Sequence, residues 1–537
     1  MGDSNLKSAI DEKNILMWFR SDLRLSDNRA LQGALKQLDL LNKEKAGTSS
    51  LFALFIVSTG EWQEHDASKF KVDFILRNVE KVAEKLKTFG VPLVIKTASN
   101  KKSVPNAVME VCKLYHINEV YCNIEYEVNE SKRDEKVKVL LMQNKILLKS
   151  YHDQCAVPPK EILKLNSDKP FKVYTPFKKA WMDVVYQNPR HLTLSNSLPS
   201  PSFRQPTLPS RYPCAFTSSI PKSADGFALS EEIQRTALEL YPAGEVKARE
   251  RMDAFIAEKL GNYKEDRDFV CKPGTSVISP YLTCGVISSR QCIDMAQKVN
   301  NGKLETGDPG AVKWILEIVW REFFRYILVA FPRVSKSLPF IPEASMIKWD
   351  EKDGHFDAWK AGLTGYPLVD AGMRELVSTG WISNRIRMTA ASFLTKDLLI
   401  NWQKGEAHFM RHLIDGDLAS NNGGWQWAAS TGTDPKPYLR IFNPLLQSEK
   451  FDPNGEYIRK WVPELRSVKS NKAIHDPFNR LQRDQFNQLG YPVPLVDHHK
   501  TKAKAEKVYG AAIHLGGEVS KQSHHKHKGQ HEKKRQV

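Results

Sequence analysis

The chain has 537 residues, with 79 Lys or Arg against 62 Asp or Glu, a formal charge of +17. Its 41% hydrophobic and 10% aromatic content excludes a mostly disordered polymer, because such chains cannot bury enough apolar surface to offset the entropy of ordering. The length fits two to four domains at roughly 150 residues each, and the surplus of cations points to a polyanionic partner such as nucleic acid.

The first residues, MGDSNLKSAIDEKN, lack an apolar signal core, and Asp3, Asp11 and Glu12 argue against a transit peptide. Gly2 suggests myristoylation, but Leu6 stands where that motif needs Ser or Thr. The apolar runs NILMWF (14–19), LFALFIV (51–57), PLVIKT (92–97) and EVYCNI (119–124) have the length of buried strands. Between the second and third, Val72, Ile75, Val79, Val82 and Leu86 follow helical spacing, and Gly90 is placed as a C-cap. Strands alternating with such helices form parallel crossovers, so residues 1–150 are expected to form a doubly wound α/β domain. No GxGxxG follows a strand, so the ordinary dinucleotide fingerprint is missing.

Residues 151–227 read as a long connector, with seven prolines between 189 and 221. Residues 228–505 take up helical periodicity, in segments such as SEEIQRTALELY, AVKWILEIVWREFFRYILV and RIRMTAASFLTKDLLINW, and predict an all-α domain. Residues 506–537 form a basic tail, expected to be disordered; its 520–537 stretch has six Lys or Arg and one Glu. No apolar run is long enough to span a membrane, since WILEIVWREFFRYILVAF (314–331) is broken by Glu317, Arg321, Glu322 and Arg325. Seven cysteines without a CxxC indicate neither a disulfide framework nor a thiolate zinc site, and an intracellular, reducing location follows.

GxSxG, P-loop and HExxH motifs are absent. His408 and His412 could pair on a metal, but Phe409 stands where a zincin needs Glu, and the tail histidines read as solvated; no metal is expected. The densest polar constellation is LIDGDLASNNGGWQWAASTGTDPKPYLRIFNP (413–444). Polar groups so concentrated among aromatics are costly to bury unless a ligand or partner hydrogen-bonds them. Nine of the twelve tryptophans fall within 314–461, which on composition alone reads as aromatic filling of a helical core.

These residues resemble the photolyase/cryptochrome family, specifically class I cyclobutane pyrimidine dimer photolyases. The similarity runs from WFRSDLRLSDNRAL (18–31) to about 505, through YEVNE (126–130), TPFKKAW (175–181), GTSVISPYLTCG (274–285), EIVWREFFR (317–325), TGYPLVDAGMREL (364–376), NRIRM (384–388), the 413–444 block and KFDPNGEYIRKWVPEL (450–465). The resemblance implies FAD, reduced in the working state, inside the helical domain. Tyr263, Thr275, Ser276 and Ser279 match contacts to its phosphates and ribityl chain, Arg387 and Asp415 an ion pair beside the flavin ring with Asp417 nearby, and Asn421 the residue facing flavin N5. Trp425, Trp402 and Trp349 match the tryptophans that carry electrons from the surface to the flavin.

The same resemblance implies light-driven splitting of dimers in DNA, with the lesion flipped out of the stack. Glu317, Trp320, Trp427, Met388 and Asn384 match the dimer pocket, and Arg267, Arg385 and Arg440 match positions at the DNA backbone or pocket mouth. Glu317 is the expected stabiliser of the charged dimer, protonated by a desolvated pocket. The related (6-4) enzymes carry two pocket histidines where this chain has Asn384 and Met388. Cryptochromes of the plant and insect types place Asp or Cys at the position of Asn421; a receptor of that kind without repair activity is the alternative. His65, Asn129, Glu130 and Lys336 echo a folate-type antenna site, but Ser335 replaces a Cys there; at the FAD edge, Val277 stands where a relative has Arg and removes a cationic group. Methenyltetrahydrofolate and a deazaflavin both remain open as antenna. The chain is expected to act as a monomer, in the nucleus of a eukaryote on the strength of KKR (533–535) and otherwise in the cytoplasm.

Overall fold

A computed structural model of the chain describes residues 13–44, 49–165, 169–195, 219–350, 352, 354–433 and 439–512. Five strands, β1 (Asn14–Phe19), β2 (Leu51–Val57), β3 (Leu93–Thr97), β4 (Ile117–Asn123) and β5 (Leu147–Tyr151), form one sheet in the order β3-β2-β1-β4-β5. Every pairing is parallel, for example Met17 beside Ala53 and Tyr121 beside Lys149. Strand β1 is buried on both faces, as a central strand covered by helices must be. Helices α1 (Arg29–Glu44), α2 (Lys69–Thr88), α3 (Val104–Leu114) and α4 (Val128–Gln143) make the crossovers. The sequence reading misses β5, because LLKSY at the sheet edge is half exposed and polar enough to hide its strand character. Helix α2 begins at its cap Ser68, whose hydroxyl accepts from Lys71 N at 3.0 Å, and Gly90 beyond its end has a left-handed φ of 73°.

The stretch read as connector carries regular structure of its own. Helix α5 (Tyr174–Gln187) buries Phe177 and Trp181 against helix α7 (Pro309–Ala330), and Glu322 of α7 accepts from Trp181 Nε1 at 2.7 Å and from Ala156 N at 2.5 Å. The Pro-rich residues 196–218, including Cys214, and the last residues 513–537 lie outside the described residues. Residues 506–512, assigned above to the tail, continue a helix that buries Tyr509.

The remainder is helical, including α6 (Ser289–Val299) with a full capping box at Ser288. One expected helix, 385–402, is broken. It divides into α8 (Asn384–Ser392), a π-helical turn over Phe393–Asp397 and, after Leu399 at a φ of 52°, α9 (Trp402–Met410). The extra residue in the turn carries Lys396 inward, where its amine donates to Ala429 O at 2.7 Å and Ser430 Oγ at 3.1 Å. Burial pushes that amine well below its ordinary pKa. Insertions of this kind recur where a helix must re-aim side chains.

The sheet region and the helical region are joined by a fully buried ion network. Arg290 of α6 donates to Asp27 at 3.0 Å and to Asp153 at 2.6 Å, and Arg24 also pairs with Asp153.

Candidate functional site

A cavity of about 700 Å³ opens in the helical region, within the 300–1,000 Å³ usual for cofactor sites. Three helices aim residues into it at spacings of three and four, as one face of each helix must. Helix α7, capped by Asp308 on Ala311 N at 2.7 Å, contributes Glu317, Trp320, Arg321 and Phe324. Helix α8, capped by Ser383, contributes Asn384, Arg387, Met388 and Ala391. Helix α10 (Leu418–Ala428) is capped by Asp417 on Ser420 N at 3.0 Å and contributes Asn421, Gly424 and Trp425. Tyr263, Arg267, Thr275, Ser276, Ser279, Arg385, Asp415, Asp417, Trp427 and Arg440 complete the set expected from the sequence.

On the cavity lining Arg387 Nη2 meets both oxygens of Asp415, at 2.8 and 3.0 Å. The Asp415 side chain is only 4% exposed. Ser279 Oγ donates to the same carboxylate at 2.6 Å and accepts from Trp381 Nε1 at 3.2 Å. Burial works against charge on Asp417, yet the guanidinium groups of Arg325 and Arg321 more than offset it and hold its pKa below the ordinary value. Val277, between the expected FAD contacts Ser276 and Ser279, has a φ of 48°, a strained region for a β-branched residue. Asn421 Nδ2 donates to Glu406 O at 3.0 Å, which turns the amide nitrogen away and leaves its oxygen to meet a ligand. Behind it Glu406 is pushed up to about 7 by burial, despite a hydrogen bond from Asn422 at 2.8 Å.

Toward the mouth, Trp320 stacks on Tyr174 with centroids 3.6 Å apart and planes 9° from parallel. The Arg440 guanidinium lies 4.5 Å over the Trp427 ring, and Arg385 pairs with Asp268 at 2.7 Å. Glu317 differs from the desolvated acid expected of it: its carboxylate is ion-paired with Arg267 and, at 2.9 Å, with Lys313.

Trp402 and Trp349 do not line the cavity. Trp402 is buried in the same apolar cluster as Trp425, and Trp349 lies half-buried at its edge with Tyr509 at 6.1 Å. The rings beside Trp425 include Phe409 at 4.8 Å and Trp359 at 6.1 Å. Tyr174, Trp381, Arg321 and Lys313 were missed; Tyr174 immediately precedes the recognised TPFKKAW segment, and only its stacking on Trp320 reveals a role.

A second cluster lies where the sheet region meets the helices. His65 Nδ1 is 3.3 Å from Glu130, Asn129 Nδ2 is 3.2 Å from His65 Nε2, and Ser335 Oγ accepts from Val128 N at 3.1 Å. Lys336 follows Ser335 in the short turn Val334–Lys336. Burial, with Glu127 and Glu125 nearby, pushes Glu130 up to about 8, and its Oε2 is buried without a partner. His65 and Glu130 border a smaller cavity of about 150 Å³.

His408 and His412 pack ring against ring at 4.3 Å. Among the described residues, no three His, Cys, Asp or Glu side chains are placed to hold a metal ion, and no helix is long and apolar enough to cross a membrane.

The fold and the cavity define a FAD-binding protein: the family profile for the FAD-binding domain of DNA photolyase matches residues 314–511, and that for DNA photolyase matches residues 15–200. A deoxyribodipyrimidine photo-lyase of Neurospora crassa is 40% identical over 516 residues, covering 94% of this chain and 82% of that protein. The chain belongs to the DNA photolyase family. Among solved structures, a class III photolyase of Agrobacterium tumefaciens superposes with a TM-score of 0.76 at 31% identity, over 94% of this chain and 98% of that one. A cryptochrome of Synechocystis gives 0.78 at 26%, over 93% and 99%.

FAD fits the cavity on its own geometry. The volume is adequate, the Arg387–Asp415 pair offers both a donor and an acceptor to a heterocycle, and a Cβ built on Gly424 meets nothing within 4 Å, which leaves backbone open to close approach. Trp425 Nε1, a donor on the lining, is buried without a partner.

Proposed function

We propose that the chain splits cyclobutane pyrimidine dimers in DNA under light, as a class I enzyme of its family. The observation that carries the reading is one cavity lined both by the buried Asp415 carboxylate in its pair with Arg387 and by an aromatic, carboxylate-bearing wall of Trp320, Trp427 and Glu317. Bound reduced FAD supplies, on excitation, the electron that opens the cyclobutane ring. Arg387 and Asp415 orient the ring system, Tyr263, Thr275, Ser276 and Ser279 hold the phosphate and ribityl part, and the Asn421 oxygen accepts a hydrogen bond from the reduced flavin. Trp425, Trp402 and Trp349 deliver electrons that keep the flavin reduced.

Trp320 and Trp427 receive the dimer between apolar faces, with Met388 and Asn384 closing the pocket. Arg267, Arg385 and Arg440 serve backbone phosphates, which fix register while the pocket reads the lesion. Engagement of Arg267 and Lys313 by phosphate frees Glu317, now paired with both, to take up a proton and donate a hydrogen bond to the dimer where negative charge develops. The cluster of His65, Asn129 and Glu130, with Lys336 beside it, holds an antenna chromophore, and the buried, unpartnered Glu130 Oε2 supports a ligand there. The protein acts as a monomer inside the cell.

The test mixes anaerobically reduced protein with an oligonucleotide bearing one thymine dimer and follows recovery of thymine absorbance under blue light. Recovery in light and none in the dark is expected. A photoreducible flavin with no recovery refutes repair and assigns the protein to the receptor side of its family.

A further inference from the structure

Resting on the reading that FAD occupies the helical cavity, we infer that Lys71 and Ser68 of the sheet region are positioning residues for the turn 413–417 that presents Asp415 and Asp417 to the flavin. Three carbonyls of that turn are taken by side chains from outside it. Ser68 Oγ donates to Leu413 O at 2.7 Å, Thr283 Oγ1 to Asp415 O at 3.2 Å, and Lys71 Nζ to Gly416 O at 2.7 Å. Ser68 and Lys71 thus reach across 345 residues of chain from the first turn of one helix, α2.

The Ser68 hydroxyl has one proton, so accepting from Lys71 N while donating to Leu413 O leaves its direction fixed. Phe70, between the two, presses on the same place. A Cβ added to Gly380 would lie 2.7 Å from the Phe70 ring, and Gly380 O accepts from Ile414 N at 2.8 Å. The next residue, Trp381, lines the cavity and bonds Ser279, which bonds Asp415. The ammonium of Lys71 forms a charge-assisted bond, about twice as strong as a neutral one, to the peptide oxygen between the two aspartates. Its loss frees Gly416 O and lets the Asp415 carboxylate drift from the geometry that Arg387 reads.

The test uses purified holoprotein and follows FAD release by the rise in free-flavin fluorescence, together with the fine structure of the bound flavin band and the thermal midpoint. Lys71→Met is expected to release FAD about tenfold faster, as loss of a charge-assisted hydrogen bond implies, and to blur the band. Lys71→Arg, which can still reach the carbonyl, restores the slow rate, and Ser68→Ala accelerates release. Lys81→Met, on the same helix but paired only with exposed Glu84, leaves release unchanged. A lower thermal midpoint in Lys71→Met with wild-type release and band shape reduces the contact to packing and overturns the inference. If Lys71→Met does not fold, unchanged release in both Ser68→Ala and Lys71→Gln overturns it equally. A wild-type protein that binds no FAD at all refutes the underlying reading instead, and the two failures are thereby distinct.

Discussion

Arg290 is the strongest point at which to test how the two halves are held together. Its side chain is wholly buried, with Asp27 and Asp153 buried against it. Burial works against charge on Asp153, but Arg24 and Arg290 overcome it and hold the carboxyl at about 2. Arg290→Met leaves Asp153 with Arg24, while the Asp27 carboxylate keeps, among the described residues, only Ser288 Oγ, Ser195 N and Ser195 Oγ as donors. Stranding one buried carboxylate in this way costs about 3–5 kcal/mol, a large part of the roughly 5–15 kcal/mol that holds a domain folded. Adding Asp27→Asn removes the stranded charge and recovers on the order of 1–2 kcal/mol. Urea unfolding read by both far-UV circular dichroism and flavin fluorescence checks this, since a chain of two regions need not unfold in one step. A loss under about 1 kcal/mol, or strictly additive effects of the two substitutions, refutes the reasoning.

Other substitutions test the site itself. Glu406, pushed up to about 7 by burial, binds a proton in the folded protein that the unfolded chain releases near its ordinary value. Stability is therefore full below that value and falls as pH rises through about 7. Glu406→Gln should flatten this decline between about pH 4.5 and 7, and a decline as steep as in the wild type contradicts the assignment. Glu317→Ala should retain FAD while lowering repair yield about tenfold or more, with the yield per absorbed photon as the measurement; an unchanged yield removes Glu317 from the reaction. Asn421→Asp sets a carboxylate against Glu406 O, now 3.0 Å from the amide nitrogen, and should change the flavin species that accumulates under light. Identical absorption spectra during illumination would place Asn421 away from the flavin. DNA affinity should fall steeply with salt, as phosphate contacts release counterions, and Arg440→Ala should lessen that slope; a flat response excludes a phosphate-clamping groove.

Four of the strands and the helix after the second were legible because buried parallel strands are short, continuous apolar runs and α2 keeps its spacing. Strand β5 was not, since an edge position tolerates Lys149 and Ser150 and erases the signal. The break between α8 and α9 escaped for a different reason. Its sequence, FLTKDLLI, has helical composition, and only the tertiary partners of Lys396 and Asp397, among them Ala429 O and His498, select the π turn. Asp415, Arg387 and Asn421 were found through resemblance, and the geometry then brings them to one cavity. Lys71 and Ser68 carried no signal, because a lysine and a capping serine at a helix start are ordinary until the distant turn they grip is known. Glu317 shows the opposite limit: its position was readable, but its two cationic partners were not.

The hold of α2 on the 413–417 turn bears on modularity. A sheet region that merely carried a light-collecting pigment could be shed, exchanged or fused elsewhere without disturbing the chemistry. Here two carbonyls of the flavin-side turn find their donors in that region, through Ser68 and Lys71. A helical half cut free of residues 13–151 would expose both, along with the Gly380 face covered by Phe70. The smallest working unit is therefore both halves together, and any attempt to miniaturise the protein has to rebuild the first turn of that one helix.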